Sequence, residues 1–418
     1  MSRRDRLSWA LYDWGNSAFA TTVMAGFFPV FFKEYWAQGL AATDSTFWLG
    51  LGNSAASTLM IVLAPLIGAV ADQGDNKKRM LARFAFLGAS MTASLFLVAG
   101  GLWPWALALY ALGIVGFSGS IVPYDALLVD VADSRELDRV SALGYALGYL
   151  GGGLLFALNV AMVVKPALFG LTDPREAVRV SFLMVGAWWA LFTVPLLLFV
   201  HERNPMPARD GVLRGALREI RDNAREVRAH RMAFLFLLAY WLYIDGVDTI
   251  VRMAVDYGLA IGFESKELLA ALLLTQFVGF PAALLFGRIG DRLGPKAGIL
   301  IALAVYSLVV VWAWAMRSHW EFYALAVMIG LVQGGVQSLS RSLYARLIPS
   351  ERAGVFFGVY NMLGKFAAVI GPLLVGVVGV ATGSSRAGIL AILVLFVAGA
   401  MVLRRVETMN NEDLSRNR

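Results

Sequence analysis

Long runs of apolar residues alternate with short polar segments along the whole chain, and this pattern sets the predicted elements. A helix needs about 20 apolar residues to cross the hydrocarbon of a membrane. Twelve runs reach that length, and the predicted fold class is therefore an all-α polytopic membrane protein with twelve transmembrane helices. The runs cover residues 8–36, 45–71, 80–101, 103–131, 138–164, 176–200, 232–261, 266–290, 297–316, 320–346, 353–381 and 385–404.

The composition of the 418 residues excludes several other classes of protein. Hydrophobic residues make up 59% of the chain and charged residues 16%, against roughly 25% charged in soluble proteins. A soluble enzyme or a disordered chain does not fit these values. Cysteine is absent, which excludes disulfides and thiolate metal sites. The three histidines lie far apart and no Walker loop occurs, so we expect no enzyme activity, cofactor or metal.

Most of the 36 lysines and arginines fall in the loops on the side of the membrane that holds the N-terminus. Cytoplasmic loops carry such an excess, so we expect an integral plasma (inner) membrane protein, in contact with lipids, with both termini in the cytoplasm. This distribution accounts for the net charge of +7 without nucleic acid as a partner. Asp13 and Asn16 interrupt the first span, which we expect to be retained rather than cleaved as a signal peptide. We expect a monomer.

The longest extramembrane segment separates six spans from six. The predicted domains are a six-helix bundle at 1–201, a cytoplasmic linker at 202–231 and a second six-helix bundle at 232–418. Within the linker, apolar residues recur at intervals of four and three, which predicts an amphipathic helix on the anionic surface of the membrane. These residues are Leu213, Leu217, Ile220, Ala224 and Val227.

The two sets of spans repeat a motif at the end of their second helix. The pair Gly68 and Asp72 lies at the end of the second span, the pair Gly287 and Asp291 lies at the end of the eighth at the same spacing, and a basic segment comes after each pair. Charge clusters of this kind can hold one state of a two-state transporter and break in the other, so we predict a cytoplasmic gate. In the first copy, we expect Asp72 and Asp130 to join the basic run in one cluster. The predicted gate residues are Gly68, Asp72, Lys77, Lys78, Arg79, Asp130, Gly287, Asp291, Arg292, Lys296 and Arg346.

A second match joins the fourth and tenth spans, where residues 124–134 align without gaps on residues 340–350. More weakly, Asp13-x-x-Asn16 of the first span matches the pair of aspartates at 245 and 248 in the seventh. A duplication of six spans, with sites at the interface between the copies, is typical of secondary transporters. Two aspartates of the first copy are arginines in the second, with Asp125 aligned on Arg341 and Asp130 on Arg346.

The Gly-x-x-x-Asp motif with its basic loop resembles the signature of the major facilitator superfamily. The copy from Gly287 to Lys296 is close to that pattern, whereas the first copy has residues 73–76 before its basic run. Four further segments resemble the "unknown major facilitator" group, which is related to fungal vacuolar amino-acid effluxers. The resemblance implies the major facilitator fold, secondary transport and amino acids as substrates. The segments are YDWGNSA at 12–18, FFP at 27–29, YIDGVDT at 243–249 and SLSRSL at 338–343.

Span seven carries four charged residues at spacings that put them on one face of a helix: Asp245, Asp248, Arg252 and Asp256. A charge at the bilayer centre costs roughly 2.5–3.5 kcal/mol on insertion scales, so this face must meet a wet cavity or another polar helix. Asp245 lies near the midplane, and we predict that it takes up the coupling proton, with Asp13 as a second candidate. The alternatives are a self-neutralising ladder that locks helix packing and a permanent pairing of Asp245 with Arg341 or Lys365.

The complementary cations lie on spans ten and eleven. Arginine's planar donor fork suits a carboxylate or phosphate, so we predict that Arg341 or Lys365 binds an anionic group of the substrate. A salt bridge from either cation to Asp125 or Asp245 is the alternative. The predicted substrate-binding or ion-coupling residues are Asp13, Asn16, Asp125, Asp245, Asp248, Arg252, Gln333, Gln337, Arg341, Asn361 and Lys365.

Together these patterns predict a secondary active transporter that moves a small polar or anionic solute, such as an amino acid, by alternating access. We expect a proton, or alternatively sodium, as the coupling ion. The alternative function is a membrane-embedded sensor or enzyme whose polar cavity binds a small molecule without transporting it.

Overall fold

The computed structural model describes residues 2–73, 76–203, 222, 225–260, 265–316, 318–366, 370–382 and 385–407, and these residues are almost entirely helical. The principal helices are α1 (Arg3–Trp36), α2 (Ala42–Ala71), α3 (Lys77–Ser94), α4 (Trp103–Ala126), α5 (Leu137–Val164), α6 (Pro174–Phe199), α7 (Arg231–Ala260), α8 (Ser265–Leu293), α9 (Pro295–Ala315), α10 (His319–Leu347), α11a (Ala353–Phe366), α11b (Ile370–Thr382) and α12 (Ser385–Arg404). Within α1, the stretches Phe19–Phe27 and Phe32–Trp36 have wider π-helical turns. Short helical segments lie at Leu95–Leu97, Leu128–Val131, Pro166–Phe169 and Ser350–Arg352.

These helices confirm the predicted fold class. Within the described part of the chain, eleven are long and apolar enough to cross a membrane. The predicted span 353–381 is present as α11a and α11b, on either side of residues 367–369, which lie outside the described residues. Helix α1 begins before the predicted residue 8, because Ser2 accepts a hydrogen bond of 3.1 Å from the N–H of Asp5 and caps a polar first turn. Most of the predicted linker helix lies outside the described residues.

The helices pack as two sets of six with equivalent neighbours, which we call the first half (α1–α6) and the second half (α7–α12). In the first half, α2 packs on α4, α3 packs on α4 and α6, and α1 packs on α6. In the second half, α8 packs on α10, α9 packs on α10 and α12, and α7 packs on α12. The repeat in the sequence is therefore also a repeat of packing.

The two halves meet mainly along α5 with α8 and α2 with α11a, and also where α10 packs on α5 and α11a packs on α4. The motif glycines lie in these contacts. A Cβ on Gly68 would stand 2.0 Å from the carbonyl oxygen of Gly354, and one on Gly287 would stand 2.7 Å from the Cβ of Ala142. Both distances are shorter than van der Waals contact, so glycine permits an approach that a larger residue would prevent. This close interface holds the candidate site.

Candidate functional site

A polar cavity of about 340 Å³ lies between the two halves. Helices α1, α4 and α5 of the first half and α7, α8, α10 and α11a of the second contribute its wall. Its volume is in the range of small-ligand sites. The structure brings nine of the eleven predicted site residues together around this cavity, although they come from distant parts of the sequence. They are Asp13, Asn16, Asp125, Asp248, Gln333, Gln337, Arg341, Asn361 and Lys365.

Arg341 of α10 reaches from the second half into the first, and its side chain is buried. Its Nη1 lies 3.2 Å from Oδ1 of Asp125 and 3.7 Å from Oδ2 of Asp13. Its Nε and Nη2 donate to the hydroxyl and the carbonyl oxygen of Ser141, both at 2.9 Å. Asn361, also of the second half, donates to the other oxygen of Asp125 at 3.0 Å. The salt bridge to Asp125, one of the two alternatives for Arg341, is therefore present, and it joins the halves.

Aromatic rings enclose this guanidinium. Its Cζ lies 4.4 Å from the ring centre of Tyr145, 4.8 Å from that of Trp9 and 5.3 Å from that of Tyr124. Tyr124 also donates a hydrogen bond of 2.8 Å to Oδ2 of Asp13. The rings shield the ion pairs from water and add a cation–π attraction, which is stronger for a desolvated cation. Ser141 and Tyr145 were not predicted, since hydroxyl residues on the glycine-rich α5 produce no pattern of charge.

Among the described residues that line the cavity, the carboxylates outnumber the cations. Asp13, Asp125 and Asp248 contribute three carboxylates, whereas Arg341 and Lys365 contribute two cations. With all five groups ionised, an excess of one negative charge would lie in a largely buried space, which is energetically costly. A bound proton, or a cationic group of a ligand, would remove this excess.

Uncharged polar groups complete the wall of the cavity. Gln333 and Gln337 lie one turn apart on α10, and Gln276 of α8, which was not predicted, joins them. Asn16 and Ser118 also line the cavity and are buried. The Nδ2 of Asn16 and the Oγ of Ser118 have no hydrogen-bond partner among the described residues. Buried polar atoms are normally hydrogen-bonded, so these two groups are suited to bind polar atoms of a ligand.

Asp245 lies behind the cavity and not in its wall. It is buried, and both oxygens of its carboxylate accept from the backbone N–H of Gly371 in α11b, at 3.0 and 3.1 Å. Thr249 packs so close that a Cβ on Gly371 would stand 1.8 Å from its Oγ1. The two aspartates thus lie in different surroundings, both of which were expected. Asp248 faces the cavity, and Asp245 packs against another helix. The side chains of the other two charged residues of that face lie outside the described residues: Arg252 and Asp256.

Most predicted gate residues lie at the end of the bundle where α1 begins and α12 ends, which we call the basic face. Asp72, directly after α2, accepts hydrogen bonds from the backbone N–H groups of Gly354 and Val355 at 2.7 and 2.8 Å. A carboxylate of the first half thus caps the first turn of α11a in the second, where a helix attracts negative charge. Burial raises the pKa of Asp72 to about 6, although Lys77 and the two N–H donors oppose the shift.

The equivalent carboxylate of the second half makes a different contact across the same interface. Asp291 accepts a hydrogen bond from Nε of Arg139 in α5. Near it, Arg346 of α10 lies 2.7 Å from Asp138 of α5 and also joins the two halves. These contacts and those of Asp72 close the interface at the basic face.

Other predicted gate residues bind within their own half. Lys77 pairs with Asp130 at 2.8 Å and also lies close enough to Asp72 to lower its pKa. Asp72, Lys77 and Asp130 are therefore neighbours, as the expected cluster requires, while Asp72 also crosses the interface. Lys78 donates to two carbonyl oxygens at the end of α6, and Lys296 does the same at the end of α12. Glu202, which was not predicted, accepts hydrogen bonds from the backbone N–H groups of Lys77 and Lys78 at the start of α3. Two predicted gate residues are exposed at the surface: Arg79 and Arg292.

Known proteins resemble this chain in sequence and in the arrangement of their helices. Residues 1–413 match the family described as "Vacuole effluxer Atg22 like". The chain belongs to this Atg22-like family. A bacterial relative, the "Uncharacterized MFS-type transporter YxiO" of Bacillus subtilis (strain 168), is 36% identical over 410 residues, which cover 98% of this chain and 96% of that protein.

Fungal proteins named for the same family are more distant from this Atg22-like chain. "Autophagy-related protein 22" of Yarrowia lipolytica is 28% identical over 290 residues. The match covers 62% of this chain and 48% of the fungal protein, so about half of that relative has its counterpart here.

Solved structures have the same fold. The human organic anion transporter MFSD10 matches with a TM-score of 0.72 at 17% identity, over 96% of this chain and 99% of that one. The transporter FucP in its outward conformation matches with a TM-score of 0.72 at 12% identity, over 97% of this chain and 99% of that one. This Atg22-like protein is thus an integral membrane protein of the transporter class with the major facilitator fold.

Proposed function

We propose that this Atg22-like protein is a secondary active transporter that carries a small zwitterionic or anionic solute, such as an amino acid, by alternating access coupled to protons. The observation that carries the proposal is the polar cavity between the halves, into which Arg341 crosses. A solute in this cavity contacts both halves, so its binding depends on how the halves sit against each other. The basic loops favour the plasma (inner) membrane with both termini in the cytoplasm.

Lys365 and Asp248 are the proposed partners for the two charges of a zwitterion. Both line the cavity, where Lys365 supplies a cation for a carboxylate and Asp248 supplies an acceptor for an ammonium group. Gln333 and Gln337 add hydrogen bonds that fix the orientation of the solute. Arg341 holds two carboxylates of the first half, so we assign it to the contact between the halves and not to the solute.

Asp13 and Asp125 form the proposed coupling site. They share one guanidinium, and a proton on either of them removes the excess negative charge of the cavity. A neutral carboxyl group also pairs less strongly with a cation, so protonation weakens the attraction between Arg341 and the first half. Proton uptake therefore favours separation of the halves at this level. Asp245, the first proton site predicted from the sequence, stays a prediction and lies behind the cavity.

Uptake into proteoliposomes tests the proposal. Vesicles that contain the purified protein receive a mixture of amino acids and small metabolites, with and without a pH gradient, and mass spectrometry measures what accumulates. We expect at least one zwitterionic or anionic solute to accumulate only with the gradient. The Asp125→Asn variant should lose this accumulation because it removes a carboxylate from the coupling site. The exposed Asp133→Asn on the following loop is the matched control and should keep it.

Two results would contradict this function. Accumulation that follows a sodium gradient and ignores pH would replace the proton as the coupling ion. Binding of a solute to folded protein without any accumulation would favour the sensor or enzyme and would overturn transport itself.

A further inference from the structure

A second cavity, of about 300 Å³, lies between helices of the second half and α1 of the first half, and it differs in chemistry from the polar cavity. Alanine, valine, leucine, isoleucine and phenylalanine side chains form most of its wall, and no charged side chain among the described residues contributes to it. The hydroxyl of Thr275 in this wall donates to the backbone carbonyl oxygens of Ala271 and Ala326, at 3.0 and 3.3 Å. That hydroxyl is therefore satisfied within the protein, and the wall is suited to an apolar occupant.

The two cavities adjoin each other. Ala20, Thr21, Gln276 and Gln333 belong to the walls of both. The two glutamine amides therefore stand at the border between polar and apolar space. A molecule whose charged groups lie beside Asp248 and the other ionised residues can extend past these amides without leaving the protein.

We propose that the apolar cavity receives the apolar arm of the transported solute, and that Ala271 and Ala326 set the largest arm that fits. This inference rests on the proposed function, since the charged end of the same solute occupies the polar cavity. The apolar cavity is continuous with the polar one, which favours the solute over the acyl chain of a membrane lipid. An acyl chain has no polar groups that could bind in the polar part of the joined space.

Ala271 and Ala326 are suited to control size because they are small, buried and close together. They belong to an apolar cluster separate from the main core, together with Val309, Phe322 and Leu325. A larger side chain at either position would occupy space that an arm would otherwise fill. One methylene group in a hydrophobic pocket changes substrate discrimination by roughly 10–200-fold, so this control is strong enough to measure.

The test uses solutes that share one charged end and differ in their apolar arm. Uptake of glycine, alanine, leucine, phenylalanine and 2-aminooctanoate is measured for the wild-type protein, for Ala271→Phe and for Ala270→Phe. Ala270 is the preceding residue of α8 and is exposed, so its variant is a matched control. We expect the wild-type KM to fall about tenfold from alanine to leucine. In Ala271→Phe, the KM for leucine and longer arms should rise about tenfold while that for alanine changes less than about twofold.

Ala326→Leu gives the same prediction and serves where Ala271→Phe does not fold. A KM that ignores arm length, or equal effects of the Ala270 and Ala271 variants, would overturn the inference. Loss of bound lipid in native mass spectra of Ala271→Phe, with unchanged uptake, would assign the cavity to an acyl chain and overturn it as well. If the wild-type protein transports none of these solutes, the proposed function fails for this class. Binding of the same series to the purified variants then decides the inference separately.

Discussion

The two halves carry opposite charges at one equivalent position, and the fold brings these positions together. Asp125 of the first half and Arg341 of the second align in the sequence repeat, and they form a salt bridge across the interface at 3.2 Å. In a duplicated fold, positions near the axis that relates the halves face their own counterparts. Identical charges there would repel each other, whereas the aspartate and the arginine attract each other.

Away from that axis, equivalent positions find different partners. Asp130 pairs with Lys77 in its own half, whereas its counterpart Arg346 pairs with Asp138 of the other half. The same replacement of aspartate by arginine therefore has two structural outcomes. Near the axis, the replacement gives a salt bridge between the two halves. Away from the axis, the aspartate pairs within its own half and the arginine pairs across the interface.

The largest expected effect is that of Arg341→Gln, because it leaves Asp13 and Asp125 buried without their cation. Breaking a buried ion pair by removing one partner costs about 3–5 kcal/mol. We expect a large fall in the Tm of the purified protein and the loss of solute accumulation. Arg346→Gln is the control, and it should lower the Tm less because the side chain of Arg346 is 23% exposed.

The double variant Asp125→Asn with Arg341→Gln should recover part of the lost Tm, since one of the two uncompensated carboxylates is gone. A double variant no more stable than Arg341→Gln alone would show that the stability comes from packing of the guanidinium and not from its charge.

A smaller effect is expected at Asp72, which differs from its counterpart Asp291 in how deeply it is buried. Burial raises the pKa of Asp72 from 3.8 to about 6 while the basic face is closed, although Lys77 and Arg352 oppose the shift. In the open state of the proposed transport cycle, water reaches the carboxyl group and its pKa returns toward the ordinary value. The closed state therefore binds the proton more tightly, and lowering the pH from 7 to 5 should favour it about tenfold, or by about 1.4 kcal/mol.

Spin labels can measure this response because the chain has no cysteine of its own. Labels on cysteines introduced at Arg79 and Arg292, exposed on the two halves, report the separation of the basic face. We expect the population at long distances to fall as the pH drops, Asp72→Asn to abolish this change, and Asp291→Asn to keep it. The same pH response in Asp72→Asn would assign it to another group.

The fold and most of the cavity were predictable because their signals are local in sequence. Apolar runs indicate the spans. A charge within such a run is costly in lipid, so it indicates a polar environment at that position. Asp13, Asp125 and Lys365 stood out in this way, and the structure brings them together.

The remaining features depend on which helix packs against which. The spacing of Asp245 and Asp248 shows that they share one side of α7. It does not show that Asp248 lines the cavity while Asp245 binds Gly371 of α11b. Ser141 and Tyr145 carry no charge, so nothing in their own segment distinguishes them from packing residues.

The smallest expected effect concerns Lys78 and Lys296, where the two halves agree. Each donates to two carbonyl oxygens at the last turn of its own half, at 2.7 and 3.1 Å for Lys78 and at 2.7 and 2.9 Å for Lys296. A cation at a helix C-terminus contributes about 0.3–1 kcal/mol, so replacement of either lysine by methionine should lower the free energy of unfolding by a similar small amount.

The effects of these two replacements should add, because the ends of α6 and α12 belong to different halves. The pH response of the basic face should also stay unchanged in both variants. The free energy of unfolding of the double variant could instead fall by over about 0.5 kcal/mol more than the two single effects added together. That result would show that the halves are coupled through these helix ends as well as through Arg341. The distinction between local contacts and contacts near the axis would then no longer hold.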